Sequence, residues 1–407
     1  MKSLKLYPSV TASLLLAGSL TQAAPMVSLG DNVSLFIDSS AGVEHTENIF
    51  RTSSGQTAVN PADPNGPRIP VEEESDTALI IQPGIEVNFG KQGSAVSVLK
   101  LSYRMFQYFD YDNLNTELVK SSFTTRYDSG VYLATGEISY NEFGTSLAAS
   151  PDNLTSILDP VVTERSETKI GGNLRYRFSD RLSVGGGLSY FGRSYDSSNL
   201  TDLDRFDVPF RVYYNIAPKL DAVVGYRYRE VNNDSPTAPE YADHYFFVGL
   251  DGEIFNPLWR IELDLGLTDR EWQNSIYDSD EAFTMRAKLT YNADANRSYF
   301  AIISRDYTVS PGNALTYIQD QLLVGMQYRL SEMWSVNAAL ALSKNDYQNV
   351  ADRQEDIVFG QVGASYKPNE YLTVSGTFRY ITVEGSGSSN AIDYDQQIVS
   401  VSAAIRY

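Results

Sequence analysis

The stretch LDAVVGYRYREV, Leu220 to Val231, places Leu220, Ala222, Val224, Tyr226 and Tyr228 on one side of an extended chain. Asp221, Gly225, Arg227 and Arg229 fall on the other. Successive strand side chains point to opposite faces, so this period of two marks a β-strand whose faces meet different surroundings. One face is apolar and the other carries two guanidinium groups. The same grammar returns along the chain, in SVLKLSYRMF (97–106) and IELDLGLTDR (261–270) among others.

The intervals between such segments sort into two kinds. Tight turns rich in Gly, Asn, Asp and Pro fall at 90–93, 128–130, 178–181, 217–219, 255–257, 293–297, 330–332 and 367–370. Longer polar connections fall at 48–76, 110–116, 144–163, 196–203, 232–241, 273–280, 310–318, 348–354 and 385–392. The segments between run to roughly 12–15 residues, enough for a tilted strand that crosses a bilayer and extends past it. Strands are expected to begin near 33, 77, 94, 117, 131, 164, 182, 204, 220, 242, 258, 281, 298, 319, 334, 355, 371 and 393. Eighteen antiparallel strands with short turns at one end and long loops at the other predict an all-β, up-and-down transmembrane barrel. That layout puts both termini and the tight turns in the periplasm and the long loops outside, in the outer membrane of a Gram-negative-type bacterium.

The chain has 407 residues, no Cys, 28 Tyr and a formal net charge of −19. The absence of Cys excludes disulfides, thiolate metal sites and a cysteine nucleophile. The acidity excludes non-specific nucleic-acid binding, which needs basic surface. The N-terminus, MKSLKLYPSVTASLLLAGSLTQAAP, combines Lys2 and Lys5, a short apolar run through Leu14 to Ala17, and small residues Thr21 and Ala23 before a cleavage point. It reads as a signal peptide over 1–23, leaving 24–407 as one barrel domain. Within it, 48–76 is a long acidic loop made irregular by Pro61, Pro64, Pro67 and Pro70. No segment has the ~18 consecutive apolar residues of a membrane helix, and barrels escape that test because only alternate residues face lipid.

Rows such as Leu99, Leu101, Tyr103 and Met105, or Ile261, Leu263, Leu265 and Leu267, are the expected lipid faces, with aromatic residues toward their ends. The opposite rows should line the lumen. They carry Arg104, Arg126, Arg175, Arg177, Arg211, Arg227, Arg229, Arg260, Arg286, Arg329, Arg379 and Arg406, several in Tyr–Arg motifs such as LRYRF (174–178), GYRYR (225–229) and MQYRL (326–330). A charge facing lipid at the midplane costs ~2–4 kcal/mol, so these arginines belong inside. Two roles are open. They can brace the wall by pairing with Glu137, Asp221, Asp251, Glu253, Glu262 and Asp264, or form a positive mouth that guides an anionic solute. Aromatic residues share this face at Phe106, Tyr108, Tyr213, Tyr245 and Phe247. They can stack on the C–H faces of sugars or simply fill space.

Chemistry is scarce. The two histidines, His45 and His244, lie far apart in sequence, and no nucleophile elbow, zinc-protease helix or phosphate loop occurs. The run DYDNLNTE (110–117) lacks the glycine and final spacing of a calcium loop and reads as a solvated acidic loop. No enzyme activity, metal or cofactor is implied.

With eighteen strands, many Tyr-x-Arg segments and the early segment AGVEHTENIF (Ala41 to Phe50) entering the first long loop, the chain resembles the putative β-barrel porins associated with exopolysaccharide and capsule export. The final strand, DYDQQIVSVSAAIRY, ends on Tyr407. It resembles the C-terminal signal read by the barrel-assembly machinery, where Phe is commoner. The family resemblance implies a conduit for a secreted polysaccharide, with periplasmic export proteins as partners and outer-membrane lipid around the wall. Two alternatives stand beside it. A general or anion-preferring diffusion porin would fold a long third loop inward, for which 144–163 offers Leu147, Leu154, Ile157 and Leu158. A structural or adhesive barrel would present the 48–76 loop outward.

Overall fold

The structure is a computed structural model. It describes residues 25–30, 32–51, 57–58, 69–70, 73–90, 93–144, 164–196, 200–234, 240–273, 279–309, 316–348, 353–387 and 393–407. The proposed signal peptide and nearly all of the 144–163 loop lie outside the described residues.

Strands follow one another with almost no other structure. The wall begins with β1 (Val33–Thr46), β2 (Asp76–Gln82 continued by Gly84–Phe89), β3 (Ala95–Tyr108), β4 (Thr116–Asp128), β5 (Tyr132–Phe143) and β6 (Arg165–Arg177). It continues through β7 (Leu182–Tyr195), β8 (Leu203–Ala217), β9 (Leu220–Asn233), β10 (Tyr241–Ile254), β11 (Trp259–Trp272) and β12 (Asp280–Asn292). It ends with β13 (Arg297–Val309), β14 (Thr316–Arg329), β15 (Trp334–Tyr347), β16 (Gln354–Tyr366), β17 (Leu372–Ser386) and β18 (Tyr394–Arg406). A short strand, Val27–Leu29, pairs with the start of β1, and Thr57–Ala58 pairs with Ile69–Pro70 in the first long loop.

Each strand is antiparallel to its sequence neighbours, and β1 closes on β18 from Asp38 opposite Arg406 to Thr46 opposite Ile398. Tyr407 completes the seam: its N–H donates to the Ile37 carbonyl at 3.0 Å and its carbonyl accepts from the Ile37 N–H at 2.7 Å. The eighteen expected strands are therefore present among the described residues, as one closed sheet. Two local departures have clear causes. Pro83 divides β2 because it has no N–H to give to the ladder, although its carbonyl still accepts from Tyr103 at 3.0 Å. β14 begins at Thr316, earlier than the 319 expected. Thr316, Tyr317, Ile318 and Gln319 are all buried, so no in–out alternation marks the start of the strand.

The outside of the wall is apolar and exposed. Val224 is 61% exposed, Phe246 60% and Leu267 60%, which only a lipid solvent tolerates over so wide a surface. Two polar–aromatic belts bound this surface. At the tight-turn end, outward rings meet in Trp259–Tyr291, Tyr132–Tyr176 and Trp334–Tyr366. At the long-loop end, outward tyrosines donate to acids: Tyr103 to Glu117, Tyr140 to Glu142, Tyr190 to Asp204, Tyr228 to Glu230 and Tyr380 to Asp395. Tyrosine suits both belts because its ring is apolar and its hydroxyl seeks a partner. In β18, Val401 faces outward at 56% exposure while its neighbour Ser402 faces the lumen. We expect Val401→Arg to lower the stability of the refolded barrel in bilayers by about 2–4 kcal/mol and Ser402→Arg to change it far less, as read by denaturant titration of tryptophan fluorescence.

Candidate pore and its lining

Alternation sends each arginine of the sequence reading to the inner surface, and most meet a carboxylate there. Arg126 pairs with Asp128 at 2.8 Å, Arg175 with Asp221 at 2.8 Å and Arg260 with Asp251 at 3.0 Å. Arg211 grips Asp264 through both terminal nitrogens, at 3.2 and 3.0 Å. Arg379 reaches Glu44 at 2.6 Å and Arg406 reaches Glu86 at 2.7 Å. Arg227 reaches Asp306 at 3.3 Å. Register sets Arg286 opposite Asp264, and Arg104 lies over the Phe106 ring at 5.2 Å. Arg177 and Arg329, at the tight-turn rim, hold no ion pair among the described residues.

Several of the pairs skip strands. Arg175 to Asp221 joins β6 to β9, Arg211 to Asp264 joins β8 to β11, and Arg227 to Asp306 joins β9 to β13. A guanidinium that bridges so far must lie across the intervening strands, and aromatic rings support it there. Arg175 lies 3.8 Å from the Tyr213 ring centre, Arg211 lies 4.7 Å from Phe247 and Arg227 lies 4.9 Å from Tyr245. Tyr245 and Phe247 stack on each other at 4.9 Å, and Phe106 and Tyr108 at 6.4 Å. All five candidate aromatic residues are buried. In Tyr213, Tyr245 and Phe247 a ring face is occupied by an arginine of this chain.

The lumen differs along its length. Toward the tight turns its lining is water-accessible and rich in hydroxyls and amides, as at Asn337, Gln361, Ser375, Thr377, Ser400 and Ser402. Toward the long loops the inward side chains are shut away from water. Phe359, Ile381 and Ile398 are 0% exposed on one side of the barrel, and Asp243 and Arg270 are 0% exposed on another. The end of the β13–β14 hairpin contributes to this closure. The β12–β13 ladder stops at Met285 opposite Arg305. Beyond that point Asp306 turns to Arg227 and Arg229, and the Tyr307 carbonyl accepts from Arg229 at 3.3 Å. Val309 packs on the buried cluster of Phe191, Leu203, Val231 and Tyr241. The hairpin end thus leans across the inner face of β7–β10.

A connected set of charges surrounds it. Arg229 donates to Asp207 at 2.9 Å and to Asp306 at 3.3 Å. Arg270 holds Asp243 at 2.7 and 2.9 Å while lying between the rings of Tyr241 and Tyr307, at 3.6 and 4.0 Å. Arg193 and Arg165 share Glu167 at 3.0 and 3.5 Å. The sequence reading did not single out Arg165, Arg193 and Arg270. Their signal was present in the period of two, which puts Arg270 on the face of Arg260 and Asp264. The histidines lie on the outer wall, His45 with Thr77 at 2.9 Å and His244 with Tyr226 at 2.8 Å. In the acidic second loop, Asp76 accepts the backbone N–H groups of Asp110 and Tyr111, which ties that loop to β2. No group of three or more metal-ligating side chains occurs among the described residues.

Removing one partner of a fully buried ion pair strands the other charge. We expect Arg270→Ala to destabilise the barrel by about 3–5 kcal/mol, and Arg270→Met combined with Asp243→Leu to recover most of that, measured by equilibrium unfolding.

No curated protein sequence matches the chain. Solved structures of similar strand architecture include a BenF-like porin from Pseudomonas fluorescens Pf-5, at 12% identity and TM-score 0.48, covering 93% of this chain and 99% of that one. Another is Pseudomonas aeruginosa OccK2 (OpdF) in complex with glucuronate, at 11% identity and TM-score 0.47, covering 92% and 98%. The siderophore receptor PirA from Pseudomonas aeruginosa is similar at 9% identity and TM-score 0.44, covering 91% and 80%. The segment Ala41 to Phe50 lies outside the residues that a family model matches. Residues 255–407, which hold β11 to β18, match the family model described as putative beta-barrel porin 2, and with the closed, apolar-walled barrel this match makes the chain an outer-membrane β-barrel porin or channel of a Gram-negative-type bacterium.

Proposed function

We propose that the barrel is a conduit through which a polyhydroxylated polymer, a secreted polysaccharide, leaves through the outer membrane. The observation that carries this reading is the pairing of the luminal arginines with carboxylates. Paired charges leave the lining polar but locally close to neutral. Such a surface offers hydrogen bonds to hydroxyl groups without the field that concentrates small anions. The tight-turn half supplies further hydroxyls and amides, and the family resemblance implies the same class of cargo. An anion-preferring diffusion porin is the second reading. It is favoured only by Arg177 and Arg329, which stand at the tight-turn rim without ion pairs among the described residues.

In this reading the long-loop half is a closure that cargo must open, and the Asp306 anchor of the β13–β14 hairpin is its fastening. Single-channel recording in planar bilayers tests it, with neutral and uronic-acid oligosaccharides added to either side. We expect low basal conductance with weak anion preference, and blocking by neutral oligosaccharides added at the tight-turn side. A conductance indifferent to sugars and strongly selective for chloride would transfer the assignment to a diffusion porin. Asp306→Asn removes the charge that Arg227 and Arg229 hold. It is expected to raise open probability several-fold, whereas Asp294→Asn, in an exposed tight turn, leaves it unchanged.

A further inference from the structure

We infer that Arg104 is a binding point inside the lumen for a carboxylate carried by the cargo, which makes the cargo a polymer with acidic sugars. The inference rests on the conduit reading and narrows its substrate class. The first observation is a guanidinium without a counter-charge. Arg175, Arg211, Arg379 and Arg406 each meet a carboxylate within 3.0 Å. Arg104, inward on β3 and half-buried, pairs with none among the described residues. Its Nε is shut away from water and has no hydrogen-bond partner there. The acid that acts on it is Glu44, which Arg379 already holds at 2.6 Å, and Arg379 itself repels it. Burying a charge costs free energy unless it is paired, so Arg104 gains from an anion that reaches it.

The surroundings suit one carboxylate on a sugar. Continuing the register from Ile81 opposite Met105 sets Gln82 opposite Arg104, and Ser40 lies opposite Gln82. Side chains so placed are neighbours on one face of a sheet. The Gln82 amide donates to the Ser102 hydroxyl, the next inward group on β3, at 3.3 Å. Arg104 offers a planar fork of donors that matches a carboxylate. Its neutral neighbours offer the donors and acceptors that ring hydroxyls use. Lys120, opposite Ser102, turns instead to the Phe143 ring of β5, 5.5 Å away. The single charge of Arg104 balances a carboxylate and would leave a doubly charged phosphate half uncompensated.

Depth gives the site its role. On the long-loop side, the same strand sets Phe106, 3% exposed, in the buried cluster of Ile49, Leu114 and Leu118. On the tight-turn side lie Ser102 and Lys100, in the water-accessible half. Arg104 is the last inward group of β3 before the closure, so a carboxylate held there stops the polymer at the threshold. One such group in a lining of paired charges retains a bound carboxylate without the field that concentrates small anions.

Single-channel recording with tetragalacturonate and maltotetraose, each added at the tight-turn side, tests the site, with heat-dependent gel mobility as the check on folding. The acidic sugar is expected to block at least about tenfold longer than the neutral one. Arg104→Gln should cut the acidic dwell time to the neutral value, and Arg104→Lys should keep part of the difference. Gln82→Glu sets an internal carboxylate beside Arg104. It should shorten acidic blocks in the same way and raise the denaturant concentration needed to unfold the barrel. Asp294→Asn, in an exposed tight turn, should change neither dwell time. Monomeric galacturonate should shorten the tetramer's blocks only in large excess. Equal dwell times for the two sugars, or acidic blocks indifferent to both Arg104→Gln and Gln82→Glu, would overturn the site and leave the conduit reading standing. Blocking by neither sugar would remove the conduit reading and the site with it. Competition by the monomer at equal concentration would overturn a polymer-borne ligand in favour of a small carboxylate solute.

Discussion

Every backbone N–H and C=O within a bilayer must find its partner inside the protein, because hydrocarbon offers none. A sheet meets that demand only when it has no edge, so the join of β1 to β18 is the contact on which the rest depends. Once the sheet is closed, side chains divide into two populations by parity alone. Residues such as Val224 and Val248 become solvent-exposed apolar groups in a solvent that welcomes them. Their neighbours in sequence become the lining of a cylinder.

That lining is governed by a second constraint. The interior of a wide barrel is neither a packed core nor free water, so each guanidinium there needs support. The structure supplies it in two layers, a carboxylate for the charge and an aromatic ring for the plane, as with Arg175 between Asp221 and Tyr213 and Arg211 between Asp264 and Phe247. Each unit ties together strands that are not neighbours in the ladder. The β6–β13 side of the barrel is cross-braced in this way. The β14–β18 side packs its inward residues by apolar contact instead, through Leu323, Phe359, Ile381 and Ile398. The two kinds of cohesion meet at the β13–β14 hairpin, where Asp306 belongs to the charged side and Tyr317 packs against Tyr347 of the apolar side.

Much of this was legible in the sequence because a period of two is a strict code. It assigned Arg227 and Arg229 inward and Tyr226 and Tyr228 outward before any partner was known, and it placed most strand starts within a residue. It failed where the code itself lapses. Thr316 to Gln319 are buried on both faces and carry no alternation. Pro83 interrupts β2 without ending it, since the register of β1 with β2 is the same on both sides. The partners of the arginines were only partly legible. Asp221 and Asp264 were named as acids of the wall, but no local pattern links Arg211 to a residue three strands away, and Asp306 was not singled out. Closure of the long-loop half depends on the curvature of one hairpin and on packing across the barrel, and neither is written in any single strand.

The seam has a kinetic consequence. Arg379 and Glu44 are 335 residues apart in the chain, and Arg406 and Glu86 are 320 apart. Contacts of such sequence separation form late, after most of the chain has been ordered, because their loop-closure entropy is repaid only then. By the same logic they are the contacts whose rupture begins the reverse journey. The two ion pairs reach across the join, β17 to β1 and β18 to β2, and reinforce the backbone ladder that closes the sheet there. The endurance of this barrel in heat or detergent is therefore a matter of rate as well as equilibrium, set by how seldom the backbone ladder of the seam and the ion pairs across it let go together.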